Sequence, residues 1–85
     1  MENSLSYFSV LSTKAQKEIA VSWNWYEERL QGLGDRFIKE VKDTIFKITQ
    51  NPNRYPVKYK KYRQTNVNTF PFLIVFQINE RKKLV

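Results

Sequence analysis

Apolar side chains recur every three or four positions through the first half of the chain and every two positions near its end. Ala15, Ile19, Trp23, Tyr26 and Leu30 follow spacings of four, four, three and four, which places them on one helical stripe. Ser12 or Thr13 offers an N-cap ahead of this stripe, and Thr13 with Gln16 three residues later has the form of a capping box. The pattern therefore predicts a helix running to about Gln31. Trp25 lies off the stripe, near Val21 and Arg29, and is expected to pack elsewhere or to serve as partner surface. Phe37, Val41, Ile45 and Ile48 form a second stripe, widened by Ile38 and Phe46. Between the two stripes, "GLGD" provides Gly32 for a left-handed helix end and Asp35 for a new N-cap. A helical hairpin follows.

The flanking segments read as extended chain. "LSYFSVL", Leu5 to Leu11, is rich in β-branched and aromatic residues and predicts a strand. Pro52 disfavours helix at Asn51, and Pro56 favours an extended path at Tyr55. Residues 57–68 predict one strand and residues 70–79, "FPFLIVFQIN", another. In the latter, Phe72, Ile74, Phe76 and Ile78 share the face expected to pack on the helices, with Leu73 and Val75 opposite. Apolar residues on the open face of an antiparallel sheet call for a cover. "NERK" suits a turn, and "KLV" starts a strand that stops at once. The order is β-α-α-β-β-(β), an α+β domain with a helical hairpin packed on one face of a mainly antiparallel sheet.

Length makes this one domain spanning residues 1–85, since 85 residues seldom support two cores. No apolar run approaches the roughly 18 to 20 residues of a membrane span, and no signal-peptide pattern opens the chain. A cytoplasmic protein with no membrane partner is expected. Charge adds an asymmetry: residues 1–50 hold seven basic and seven acidic side chains, whereas residues 51–85 hold eight basic ones against Glu80 alone. The whole excess of +7 thus lies in the last 35 residues, which favours a polyanionic or acidic partner. The competing explanation for such a run is a solubilising face.

Histidine and cysteine are both absent, which excludes Ser-His-Asp and Cys-His nucleophile systems and ordinary zinc sites. No cofactor and no metal are expected. The two glycines sit together in the helix–helix turn, so there is no Gly-rich phosphate loop. Glu27 and Glu28 are adjacent on a helix, and solvation with pairing to nearby cations is the expected role of both. What remains is "YPVKYKKYRQ", residues 55–64, with Lys58, Lys60, Lys61 and Arg63 among three tyrosines. Clustered lysines can lower one another's pKa enough for a neutral lysine base, and arginine grips phosphate through a bidentate fork. A regular strand places Tyr59, Lys61 and Arg63 on one face and Lys58, Lys60 and Tyr62 on the other. All four cations meet one phosphate only if a bulge or loop intervenes near residues 57–61. Tyr62 is expected in the core, and Lys61 with Arg63 is the better functional pair.

"WYEERLQGLGDRFIKEV", "NPNRYPVKYKKYR" and "FPFLIVFQI", in that order, resemble the RelE/ParE superfamily of toxins from type II toxin–antitoxin (plasmid stabilisation) modules. The combination of WYEE, GLG-x-x-F, NP-x-x-YP and FPF is far more specific than any one of these motifs. The resemblance implies a growth inhibitor silenced by a cognate antitoxin. RelE-like members cleave mRNA on the ribosome, and ParE-like members inhibit DNA gyrase without being nucleases. For the nuclease, the resemblance matches Arg63 to the family's arginine and leaves the lysine roles to Lys58, Lys60 or Lys61; with the strand geometry, Lys61 and Arg63 are the expected catalytic pair, with Lys58 and Lys60 contacting phosphate. Arg81, Lys82 and Lys83 join these two as expected nucleic-acid or target contacts. Leu73 and Val75 are the expected antitoxin contacts. Relative to the nuclease pattern, the last strand and its basic or aromatic tail are missing after Leu84. Growth inhibition by ribosome-dependent mRNA cleavage is the first expectation; a non-enzymatic gyrase inhibitor, or a degenerate toxin that only binds antitoxin, is the alternative.

Overall fold

The computed structural model describes residues 7–80. Two helices, α1 (Thr13–Arg29) and α2 (Leu33–Gln50), pack as an antiparallel hairpin against a three-stranded antiparallel sheet. A 3-10 turn at Pro52–Arg54 leads into β1 (Val57–Tyr59), β2 (Tyr62–Asn66) and β3 (Leu73–Phe76), ordered β1-β2-β3. This is the α+β arrangement expected from the periodicity. Among the described residues no helix is long and apolar enough to cross a membrane.

Local chemistry sets the helix boundaries. The Ser12 hydroxyl accepts the Ala15 N–H at 3.0 Å and caps α1. Gln16 closes no box with Thr13, because its amide donates to the Leu11 carbonyl at 3.1 Å. The helix ends at Arg29, and Leu30 turns to extended backbone at φ −160°. Leu30 therefore leaves the buried stripe and faces solvent. Gly32 takes φ +91° and precedes the first residue of α2, a conformation that glycine adopts without steric cost. It has no side chain with which to cap the helix, and Asp35 does not do so either. Asp35 sits in the first turn and accepts the Trp23 indole N–H at 3.1 Å.

The cap comes instead from α1. Glu27 reaches across the turn and accepts the Gly32 N–H at 2.8 Å through one carboxylate oxygen and the Gly34 N–H at 2.9 Å through the other. Two of the orphan donors at the start of α2 are satisfied in this way, by a negative charge at the positive end of the helix dipole. Glu27 is thus a structural residue, unlike its exposed neighbour Glu28. Gly34 is buried beneath the same contact: a Cβ there would lie 2.8 Å from the Trp23 carbonyl and from the Glu27 carboxylate.

Phe37, Val41, Val67 and Phe70 form the centre of the core, with Ile19, Tyr26, Leu33, Ile38, Ile45, Phe72 and Ile74 packed around them. Aromatic edges meet faces here. Phe37 lies 5.4 Å from Phe70 and 5.0 Å from Phe72, and Tyr26 lies 4.9 Å from Phe70, within the range in which such pairs add stability beyond their buried area.

The extended segments are more broken than their sequence suggests. Residues 57–68 are not one strand but two, turned back on each other at Lys60–Lys61. The strand expected over 70–79 is confined to β3, because residues 67–72 form a loop closed by the Val67 N–H to the Phe72 carbonyl and the Phe72 N–H to the Phe70 carbonyl. At the N-terminus the strand expected over Leu5–Leu11 is reduced, within the described residues, to an isolated bridge at Phe8. The Tyr7 N–H beside it donates to the Thr49 carbonyl at 2.9 Å, at the end of α2. Leu5, Ser6 and the "KLV" segment lie outside the described residues.

Candidate functional site

The β1–β2 hairpin carries the basic cluster. Tyr59 pairs with Tyr62, leaving Lys60 and Lys61 as the two loop residues, and Lys60 sits at φ +53°. Two-residue loops with positive φ at their first central position normally place glycine there. The register shifts by one between Val57 and Tyr59, so a bulge falls at Lys58. The irregularity required for the lysines to depart from strict alternation is present. Lys58, Lys60 and Lys61 are all exposed, and the Lys60 ammonium lies 5.3 Å from the centre of the Tyr59 ring.

Arg63 is differently placed. It pairs with buried Phe76 and lies on the helix-facing side of the sheet. Its guanidinium donates to the Tyr55 carbonyl and, at 3.4 Å, to the Asn53 carbonyl. It thereby ties the turn after α2 to the second strand, while Lys61 lies in the loop. Tyr62, expected in the core, is 38% exposed. It alternates with Arg63, and the side that Arg63 occupies is the one facing the helices.

The opposite side of the sheet follows from the register. Gln64 faces Val75 and Asn66 faces Leu73, and Tyr59 with Tyr62 continues this side toward the hairpin. Leu73 is 51% exposed and Val75 59%. The central part of this face is neutral and partly apolar. It continues around the sheet edge into an open groove of about 580 Å³, where Val21 and Ser22 of α1 meet Pro71, Phe72 and Leu73. Farther along α1, Trp25 is half exposed with the Arg29 guanidinium 3.6 Å above its ring, consistent with a surface role for Trp25.

A second groove, of about 740 Å³, runs between the C-terminal part of α2 and the loop after β2. Thr44, Lys47, Arg54, Tyr55, Thr65, Asn66, Asn68 and Thr69 line it over a floor of Val67 and Phe70. Neither periodicity nor motif singles out Lys47 or Arg54. What they share in sequence is a place on either side of the helix-stopping Asn51–Pro52.

Among the described residues no group of three acidic, histidine or cysteine side chains is arranged to hold a metal. Lys39 and Asp43 form an ion pair on the exposed face of α2, at 3.1 Å. The hydrogen bond to Asp43, with the charge of that carboxylate, holds the Lys39 ammonium above its ordinary pKa. Arg81, Lys82 and Lys83 lie outside the described residues.

Residues 10–85 match the family model described as the ParE toxin of the type II toxin–antitoxin system parDE. No curated protein and no solved structure matches the chain.

Proposed function

Because the chain belongs to the ParE toxin family of type II toxin–antitoxin systems, we propose that it arrests growth by binding DNA gyrase rather than by cutting mRNA. A cognate antitoxin partner follows from the family itself. The observation that carries the choice of mechanism is the division of the basic strand. Arg63 is held by two backbone carbonyls on the helix side of the sheet, whereas Lys61 is in the hairpin loop. Cleavage by in-line attack needs a base, a phosphate clamp and an acid around one phosphodiester, and this pair would have to break the Arg63 contacts to assemble any part of that. A binding mechanism needs only a surface.

The neutral outer face around Leu73 and Val75 is the antitoxin site in this reading. An amphipathic or extended segment laid across Leu73, Val75 and the Val21 groove buries apolar area that is otherwise in water. Lys58, Lys60 and Lys61, exposed at the hairpin, face the target, with the cytoplasm as the place of action.

Purified gyrase is the direct test. The free chain should inhibit supercoiling in vitro, and the antitoxin should relieve that inhibition. In induced cells a DNA-damage response should appear with mRNA left intact. Codon-positioned mRNA cuts on stalled ribosomes, abolished by Lys61→Ala, would overturn the proposal and restore the nuclease assignment of Lys61 and Arg63.

A further inference from the structure

We propose that the groove between α2 and the β2–β3 loop is a phosphodiester-binding site that engages the backbone of DNA through Lys47 and Arg54. This assignment does not depend on which protein the toxin inhibits.

Four observations converge on it. The groove is lined by two cations and no carboxylate, and among the described residues neither cation has an ion-pair partner. The rest of its rim is hydroxyl and amide, the groups that accompany Lys and Arg in phosphate and sugar contacts. The apolar floor is out of reach: Val67 and Phe70 are buried in the core, so an amphipathic peptide would find no anchor there. Finally, Thr69 holds φ +76°, an uncommon conformation for a β-branched residue and one that concentrates at ligand-contacting loops.

Geometry also suits a chain of phosphates better than a single free anion. Lys47 lies in the last turn of α2 and Arg54 at the end of the following 3-10 turn, so the two cations stand on either side of the Asn51–Pro52 corner. The Arg54 guanidinium stacks 5.3 Å from the Tyr55 ring, which orients its fork without consuming its donors. Asn68 and Thr69 project from the opposite wall. A backbone running along the groove meets a point charge, a fork and neutral donors in succession.

Lys47 has a competing structural role, because a cation in the last turn offsets the helix dipole. That role predicts lost stability without a specific loss of binding, so the two can be separated. The experiment is fluorescence anisotropy of a short labelled DNA duplex with the whole chain over about 0.05 to 0.2 M salt. Each phosphate contact contributes about 0.9 to the slope of log K against log salt, or roughly eightfold in affinity at about 0.1 M salt. The double variant Lys47→Gln/Arg54→Gln should bind about sixtyfold more weakly than the parent, with the slope shallower by about 1.8. Lys14→Gln/Lys42→Gln, an equal charge change at exposed helix positions, should lose far less. Asn68→Asp puts a carboxylate into the groove without removing a cation and should also weaken binding, with thermal melting unchanged. Equal losses in the groove and control doubles, or no effect of Asn68→Asp, would overturn the site. So would tighter binding of an acidic peptide than of DNA, because the groove would then be a protein contact.

Discussion

Removing the Glu27 carboxylate should cost far more stability than removing an ordinary exposed charge from the helical hairpin. The half-buried bond from the Gly34 N–H goes to a charged acceptor, and bonds of that type contribute roughly 1.5 to 3 kcal/mol. The bond from Gly32 is exposed and contributes roughly 0.5 to 1 kcal/mol. A negative charge at the start of α2 adds about 0.3 to 1 kcal/mol, partly counted already in those bonds. Glu27→Ala should therefore destabilise the free chain by about 2 to 4 kcal/mol. For a domain of this size that is a fall in Tm on the order of 10 to 20 °C. Glu27→Gln should lose about half as much, since its amide keeps one acceptor oxygen and turns an NH2 group toward the other backbone donor. Urea unfolding followed by far-UV circular dichroism measures both, with an unchanged m-value as the check that only stability has moved. A cost below about 0.5 kcal/mol for Glu27→Ala would show that solvent replaces the cap freely. Equal costs for Ala and Gln would show that the second oxygen and the charge do not matter.

Three further outcomes test other parts of the fold. Gly34→Ala should destabilise by about 1 to 3 kcal/mol in the same assay, because its methyl meets backbone and a fixed carboxylate at 2.8 Å rather than a yielding side chain. Arg63→Met should cost about 1.5 to 3 kcal/mol through the two carbonyls left without a donor, and Arg63→Lys should recover only part of it, as one ammonium lacks the fork. Lys60→Gly should instead stabilise by about 0.5 to 1 kcal/mol, the relief of positive φ exceeding the added chain entropy; a net loss in Tm would show that the Lys60 contact with Tyr59 matters more than its backbone strain.

The helices were legible in the sequence because their stripes and caps are local signals. Where Leu30 and Asp35 depart from expectation, the cause is a carboxylate acting across a turn. Glu27 makes its bonds five and seven residues ahead, a separation with no counterpart in helical periodicity, and its pairing with Glu28 in sequence hid the difference between them. The hairpin at Lys60–Lys61 carries no turn signal of its own, because neither residue is glycine, asparagine or aspartate, so an alternating run conceals a reversal of direction. Once the run reverses, Tyr62 moves to the open face and Arg63 to the helix side. Leu73 and Val75, in contrast, were correctly placed by alternation alone, since β3 is regular through that stretch.

The hydrogen bond from the Tyr7 hydroxyl to Glu80, 2.7 Å long, joins residues 73 positions apart. A nascent chain has its helical hairpin fully synthesised while the acceptor of that bond does not yet exist. Local helical contacts form early and long-range pairings late, so the sheet, and the exposed face of Leu73 and Val75 with it, forms after the helical hairpin. An antitoxin that binds this face, as proposed above, would find it complete only after the hairpin has formed. Neutralisation would then be a matter of timing during synthesis as well as of affinity afterwards.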